Sequence, residues 1–161
     1  MGTRKFYSEE LNRLRHDILM MATMAEENLG KALTALKTRS PKLAKEVRDN
    51  DAHVDALQLK IEDDVAILIA TQQPVARDLR EMVTMLKLAS SIERVGDHAK
   101  HLARAARRLT KRGDSPFREQ EHLEKMAETG KIMIHVAILT SPLFSQTCRK
   151  YNLLSFCPGG L

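Results

Sequence analysis

Apolar residues recur at intervals of three or four along three long stretches of this chain, and this spacing leaves little choice of fold. In the first stretch, residues 8–37, they occupy positions 11, 14, 18, 21, 25, 29, 32 and 36. Because an α-helix turns once every 3.6 residues, this spacing collects the apolar side chains on one helix face. The stretches 41–71 and 75–111 show similar intervals, apart from one interval of seven between Val47 and Val54. The sequence therefore predicts three long amphipathic helices.

Short breaks separate these helices. Ser40 followed by proline is a typical helix start, and Ser8 is the expected N-cap of the first helix. Pro74 ends the second helix, and the Gly-Asp-Ser-Pro segment at 113–116 ends the third. Because short connections make successive helices antiparallel, residues 8–112 are predicted to form an up-down-up three-helix bundle.

A fourth helical stretch, residues 117–139, follows the bundle. Its Met-Ala-Glu-Thr segment at 126–129 repeats the Met-Ala-Glu-Glu at 24–27, so we expect it to begin an incomplete second bundle. Residues 140–161 lose the helical period and are expected to form an irregular tail. The fourth helix is predicted to expose an apolar face that favours homo-oligomerisation, as in a homodimer. This face consists of Met126, Ile132, Met133, Val136 and Ile138.

The composition excludes several classes of protein. Aromatic residues make up only 4% of the 161 residues, which is too few for a typical β-sandwich or barrel. The longest apolar run, residues 65–70, is far shorter than the roughly 20 residues of a membrane-spanning helix. The first ten residues contain no apolar signal segment, and Cys148 and Cys157 form no disulfide or zinc pattern. We therefore expect an all-α cytoplasmic protein.

Two pairs of acids suggest a metal site. Asp51 and Asp55 lie one turn apart on the second helix, and Glu93 and Asp97 lie one turn apart on the third. Like charges at this spacing repel, and a bound cation would offset the repulsion, since carboxylates are suitable ligands for Mg, Mn, Fe or Zn. Glu93 is also expected at the centre of the apolar stripe of its helix, where a carboxylate needs a metal, a cationic partner or a proton.

Further residues extend this prediction or compete with it. Glu62 and His101 lie along the same helix faces and are possible additional ligands. Alternatively, the four acids are solvated and paired with Arg or Lys, which would leave a metal-free helical adaptor. Glu119 and His122 have the spacing of di-iron carboxylate (ferritin-like) proteins, but such a site needs a second pair of this kind.

The end of the third helix is strongly basic. Part of this charge is explained by its favourable interaction with the helix C-terminus. The rest either belongs to a solvated helix end, which is the preferred interpretation, or serves to bind an acidic protein surface, anionic lipid or nucleic acid. The lack of interleaved aromatic residues argues against single-stranded nucleic acid. The residues of this predicted partner surface are Arg104, Arg107, Arg108, Lys111 and Arg112.

Three segments of the chain together resemble one known family. They are Gln-Pro-Val-Ala-Arg-Asp-Leu-Arg at 73–80, Glu-Arg-Val-Gly-Asp-His at 93–98, and Asp51-x-x-Val54-Asp55 before them. This combination resembles the PhoU family, the phosphate-regulon regulators of bacteria. The resemblance covers residues 8–112 well and the fourth helix more weakly.

The resemblance implies a fold, a cofactor and a function. Proteins of this family consist of two tandem three-helix bundles that bind multinuclear iron or zinc clusters, here through Asp51, Asp55, Glu93 and Asp97. They are not enzymes. They repress phosphate uptake genes when phosphate is plentiful, acting with the phosphate ABC transporter and a sensor histidine kinase at the inner membrane. We accordingly expect a negative regulator of phosphate uptake with one bundle and part of a second.

Overall fold

The structure, a computed structural model, describes residues 2–112 and 120–140 of the chain. These residues form four α-helices, which confirms the predicted all-α fold class. The helices are α1 (Gly2–Thr38), α2 (Pro41–Gln72), α3 (Arg77–Arg112) and α4 (Gln120–Thr140). Among them, none combines the length and the apolar composition that crossing a bilayer requires.

Ion pairs between helices show which helices of the bundle run antiparallel and which run parallel. Lys60, in the second half of α2, pairs with Asp17 in the first half of α1, because these two helices run antiparallel. Arg15 of α1 pairs with Glu81 near the start of α3, because α1 and α3 run parallel. All three long helices pack against one another, so the predicted up-down-up bundle is confirmed.

The junction between α1 and α2 follows the sequence prediction. Ser40 is the N-cap of α2, and its hydroxyl accepts a hydrogen bond from the backbone N–H of Leu43 at 3.3 Å. At the other end of α2, Gln73 adopts the left-handed conformation with φ of 46°, and its N–H donates to the carbonyl of Ile69.

Two predicted details at helix starts are wrong. Helix α1 begins at Gly2, so Ser8 lies inside the helix and is not its N-cap, since no proline precedes it to stop the helix. Helix α3 begins at Arg77, although the predicted apolar pattern starts at residue 75, and its first two members, Val75 and Leu79, are 76% and 39% exposed. The buried stripe of α3 therefore starts further along the chain.

The bundle has two apolar clusters that meet at one level along its axis. The first cluster contains mostly large side chains (Leu, Ile, Met and Val), whereas the second is rich in alanine. The buried residue between the two clusters is Asn28 on α1, Asp51 on α2 and Gly96 on α3. We call these three residues the junction layer. A buried polar residue at one level is a known device for fixing helix register.

Helix α4 packs against α1. Lys37 of α1 pairs with Glu124 of α4 at 2.6 Å, and Ala127 joins the alanine-rich cluster. Ile138 is only 7% exposed because it packs against the first cluster, so its predicted exposure is wrong. The other four residues of the predicted apolar face are exposed: Met126, Ile132, Met133 and Val136.

Several predictions concern residues outside the described part of the chain. They are the break at 113–116, the helix start at 117 and the glutamate of the di-iron-like pair at 119. The irregular tail also lies outside it, apart from residue 140, which ends α4.

Candidate metal centre

Asp51 is the most deeply buried carboxylic acid among the described residues. It is 2% exposed and occupies the core-facing position of α2 between Val47 and Val54. A carboxylate at such a position is strongly destabilising unless a counter-charge or hydrogen-bond donors compensate its desolvation. Asp51 therefore requires a counter-charge or hydrogen-bond donors from the residues around it.

The ammonium group of Lys100 supplies this compensation. It donates to Asp51 and, at 2.7 Å, to Oδ1 of Asp97, while the lysine side chain is only 17% exposed. Burial lowers the pKa of the Lys100 ammonium, but its hydrogen bonds to Asp51 and Asp97 outweigh burial and raise the net pKa above the usual value. The same hydrogen bond holds the pKa of Asp97 below its usual range. Lys100 therefore places a positive charge between α2 and α3.

The remaining two predicted ligands lie beside this ion pair. Burial raises the pKa of the Asp55 carboxyl, and the nearby negative charges of Asp51 and Asp97 raise it further. Burial also raises the pKa of Glu93, followed by the charges of Asp97 and Asp55. The structure thus brings all four predicted acids into one cluster, which we call the acid cluster: Asp51, Asp55, Glu93 and Asp97. One ammonium does not neutralise four carboxylates.

Gly96 allows Asp51 to approach α3 closely. A Cβ atom at residue 96 would lie 3.3 Å from Oδ1 of Asp51 and 3.5 Å from Cγ1 of Val54. The same Oδ1 atom is buried and has no hydrogen-bond partner. Asp51 therefore offers one lone-pair-bearing oxygen that the protein itself leaves unsatisfied.

The prediction that Glu93 lies at the centre of the apolar stripe of α3 is wrong. Ile92, which is 4% exposed, takes the buried position between Ala89 and Gly96, and Glu93 lies beside it at the edge of the interface. The acid on a core stripe is Asp51. A signal for it existed in the sequence, because the apolar stripe of α2 has an interval of seven from Val47 to Val54, and Asp51 lies at the position in between.

The donor set of the acid cluster fits a divalent cation in kind. Four carboxylates from two helices are the oxygen ligands that hard and borderline metal ions take, and one of their oxygens is unsatisfied. As the side chains lie, no three Asp, Glu, His or Cys residues of the described ranges already surround a single point. A metal would share Asp51 and Asp97 with the ammonium of Lys100 or displace it.

The two additional candidate ligands differ in their surroundings. Glu62 accepts a hydrogen bond from Gln58 at 3.0 Å, and no hydrogen bond or ion pair in the described part of the chain connects it to the acid cluster. His101 is exposed, interacts electrostatically with Asp97, and has its ring 6.5 Å from that of His98.

The five residues of the predicted basic surface divide into two groups. Arg104 and Arg107 line a groove between α2 and α3, beside the acid cluster. Arg108, Lys111 and Arg112 lie outside this groove on the exposed end of α3.

Comparison with known proteins gives a consistent result. The family model described as "PhoU domain" matches residues 18–106, which is more than half of the chain. A "Phosphate-specific transport system accessory protein PhoU homolog" from Clostridium acetobutylicum is 39% identical over 108 residues, covering 66% of this chain and 49% of the relative. A protein of the same description from Aquifex aeolicus is 31% identical over 132 residues, covering 82% and 59%.

A solved structure supports the same relationship. The crystal structure of PhoU from Pseudomonas aeruginosa superposes with a TM-score of 0.77 at 25% sequence identity, covering 92% of this chain and 73% of that one. By sequence, the chain spans about half the length of the first curated relatives it matches.

Proposed function

The chain belongs to the PhoU family, and from this membership we propose that it is an accessory regulator of phosphate-specific transport. The observation that carries the proposal is the family match over 18–106, since this range contains the whole junction layer and the acid cluster. In the proposed role, the helical bundle is a non-enzymatic adaptor in the cytoplasm. It connects the phosphate ABC transporter with the sensor histidine kinase and keeps phosphate uptake genes repressed. Homo-oligomerisation through the exposed residues of α4 is part of the proposal.

We test the regulatory role in a bacterium that lacks its own family member and carries a reporter gene controlled by phosphate starvation. We expect expression of this chain to lower reporter activity several-fold in phosphate-rich medium and to leave it high in phosphate-poor medium. Immunoblotting confirms that the chain accumulates. Equal reporter activity with and without the accumulated chain in phosphate-rich medium would contradict the proposed function.

We further propose that the acid cluster binds a multinuclear iron or zinc cluster. Asp51, Asp55, Glu93 and Asp97 would hold the metal, which would supply the positive charge that one lysine does not provide. The proposal is supported by the unsatisfied Oδ1 of Asp51. It is also supported by the raised pKa of Asp55 and of Glu93, which burial causes first and repulsion from the neighbouring carboxylates increases. In this role the metal would connect α2 to α3 and stiffen the adaptor surface.

A specific observation favours a second candidate, a metal-free adaptor. Lys100 already connects α2 to α3 through its contacts with Asp51 and Asp97. In this alternative, the lysine performs the structural task of the metal, and the remaining carboxylates are solvated.

Metal analysis of the protein, purified without a chelator or a histidine tag, distinguishes the two candidates. We expect bound iron or zinc in the natural chain and a loss of at least half of it in Asp97→Asn. Asp63→Asn is the matched control, because Asp63 is an exposed aspartate on α2 outside the acid cluster, and it should retain the metal. Metal-free natural protein would favour the metal-free adaptor, and equal metal in both variants would contradict binding at the acid cluster.

A further inference from the structure

A concave groove of about 280 Å³ lies between the start of α2 and the second half of α3. Its rim carries positively charged residues from both helices, one turn apart in each case: Lys45 and Arg48 on α2, and Arg104 and Arg107 on α3. We call these four residues the basic rim. Within the described part of the chain, no Asp or Glu lines the groove.

The charges of the basic rim are largely unneutralised. Arg48 lies 3.7 Å from Asp49, and both side chains are about half exposed, so this pair contributes little. Lys45, Arg104 and Arg107 form no ion pair with any described residue. Lys100 also lines the groove, but its ammonium is held by Asp51 and Asp97.

Small residues explain why the rim surrounds a cavity. Ala44 and Ala103 line the groove between the two pairs of cations, and both are buried. Because their side chains end at Cβ, α2 and α3 leave space between the long side chains on either side. A flat basic helix end would not enclose an anion on two sides, whereas this groove presents cations to it from opposite walls.

We propose that this groove is a binding site for a small polyanion of the phosphoryl class, such as pyrophosphate, tripolyphosphate or the phosphate chain of a nucleotide. Three arginines can each donate two N–H groups to phosphoryl oxygens in a forked geometry, and Lys45 adds a point charge. A ligand with several linked charges would contact both walls at once. This site adjoins the acid cluster through Lys100 but uses none of its carboxylates, and it does not depend on the proposed regulatory role.

Titration of the full chain with inorganic tripolyphosphate, followed calorimetrically at physiological ionic strength, tests the proposal. We expect saturable binding with one site per chain, and weaker binding of orthophosphate. The variant Arg104→Gln/Arg107→Gln should bind tripolyphosphate about tenfold or more weakly, because it loses two charge-assisted contacts. Lys45→Gln/Arg48→Gln, on the opposite wall, should show a similar loss.

The matched control is Arg108→Gln/Arg112→Gln, which removes the same charge from the same helix outside the groove. We expect its affinity for tripolyphosphate to change less than about threefold, because general electrostatic attraction is screened at this salt concentration. All substituted residues are exposed, and unchanged melting temperatures without ligand would verify that the variants fold. Equal losses in the groove and control variants, or no saturable binding, would overturn the proposal. Binding only to vesicles containing phosphatidylglycerol would overturn it in favour of a lipid headgroup.

Discussion

Replacing Lys100 with methionine is expected to lower the free energy of unfolding by about 3 to 5 kcal/mol, the usual cost of removing one partner from a buried ion pair. Methionine preserves the length and most of the apolar contact of the lysine side chain, so the loss reports mainly on the charge. The loss is large because Asp51 remains in the core with a side chain only 3% exposed and no counter-charge. Urea denaturation in EDTA measures the change in metal-free protein.

A second substitution isolates the cause. Converting Asp51 to asparagine in the same chain removes the buried charge, so Asp51→Asn/Lys100→Met should recover most of the stability that Lys100→Met loses. The control is Lys87→Met, because Lys87 is exposed on the same helix and has no ion pair within the described residues. It should change stability by less than about 0.5 kcal/mol. Equal effects of the two lysine substitutions on stability would refute the view that Lys100 neutralises the buried charge of Asp51.

The fold was predictable because the spacing of apolar residues carries most of the necessary information. The intervals of three and four place Leu14, Ile18 and Met21 on one face, and all three are fully or almost fully buried. Helix ends were less predictable, since a start such as that at Gly2 depends on the absence of a stop signal. The exposure of Val75 also reflects a misplaced helix start, because the periodic pattern begins at residue 75, before the first residue of α3.

The candidate site was predictable only in part. The two acid pairs were visible from their spacing, but periodicity assigned to Glu93 the buried position that Ile92 takes. The two positions differ by one residue, or about 100° around the helix, which is the width of the apolar stripe itself. Periodicity cannot distinguish such neighbours without the partner helices. The role of Lys100 was hidden for a related reason, since its main partner, Asp51, lies 49 residues earlier in the chain.

The basic groove shows the same limitation more clearly. The sequence predicted Arg104 and Arg107 as part of a continuous basic helix end. Only the packing of α2 against α3 places Lys45 and Arg48 opposite them and separates Arg108 from the group. Charge patterning along one helix thus identified the cations but not the concave surface that they surround.

Substitution of Gly96 by leucine is the second change for which we expect a large loss, about 2 to 3 kcal/mol, as for overpacking of a filled core. Even the Cβ atom would lie within 3.3 Å of Oδ1 of Asp51, and the other carboxylate oxygen of Asp51 is held by Lys100. The same Cβ atom would also lie 3.5 Å from Cγ1 of Val54. The added side chain would therefore push α2 away from α3 at the junction layer and disturb the ion pair as well as the packing.

Gly30→Leu is the matched control, because Gly30 also lies in the interior of a long helix, α1. A Cβ atom added at Gly30 would have as its nearest neighbours the end atoms of the Lys131 side chain, at 3.6 and 3.8 Å, and this flexible end can move away. Since glycine weakens a helix interior by roughly 0.5 to 1 kcal/mol relative to alanine, Gly30→Leu should be near neutral or stabilising. Thermal and urea denaturation of both variants measure the difference. If Gly96→Leu proved as stable as Gly30→Leu, the packing around residue 96 would not be as tight as the distances to Asp51 and Val54 indicate.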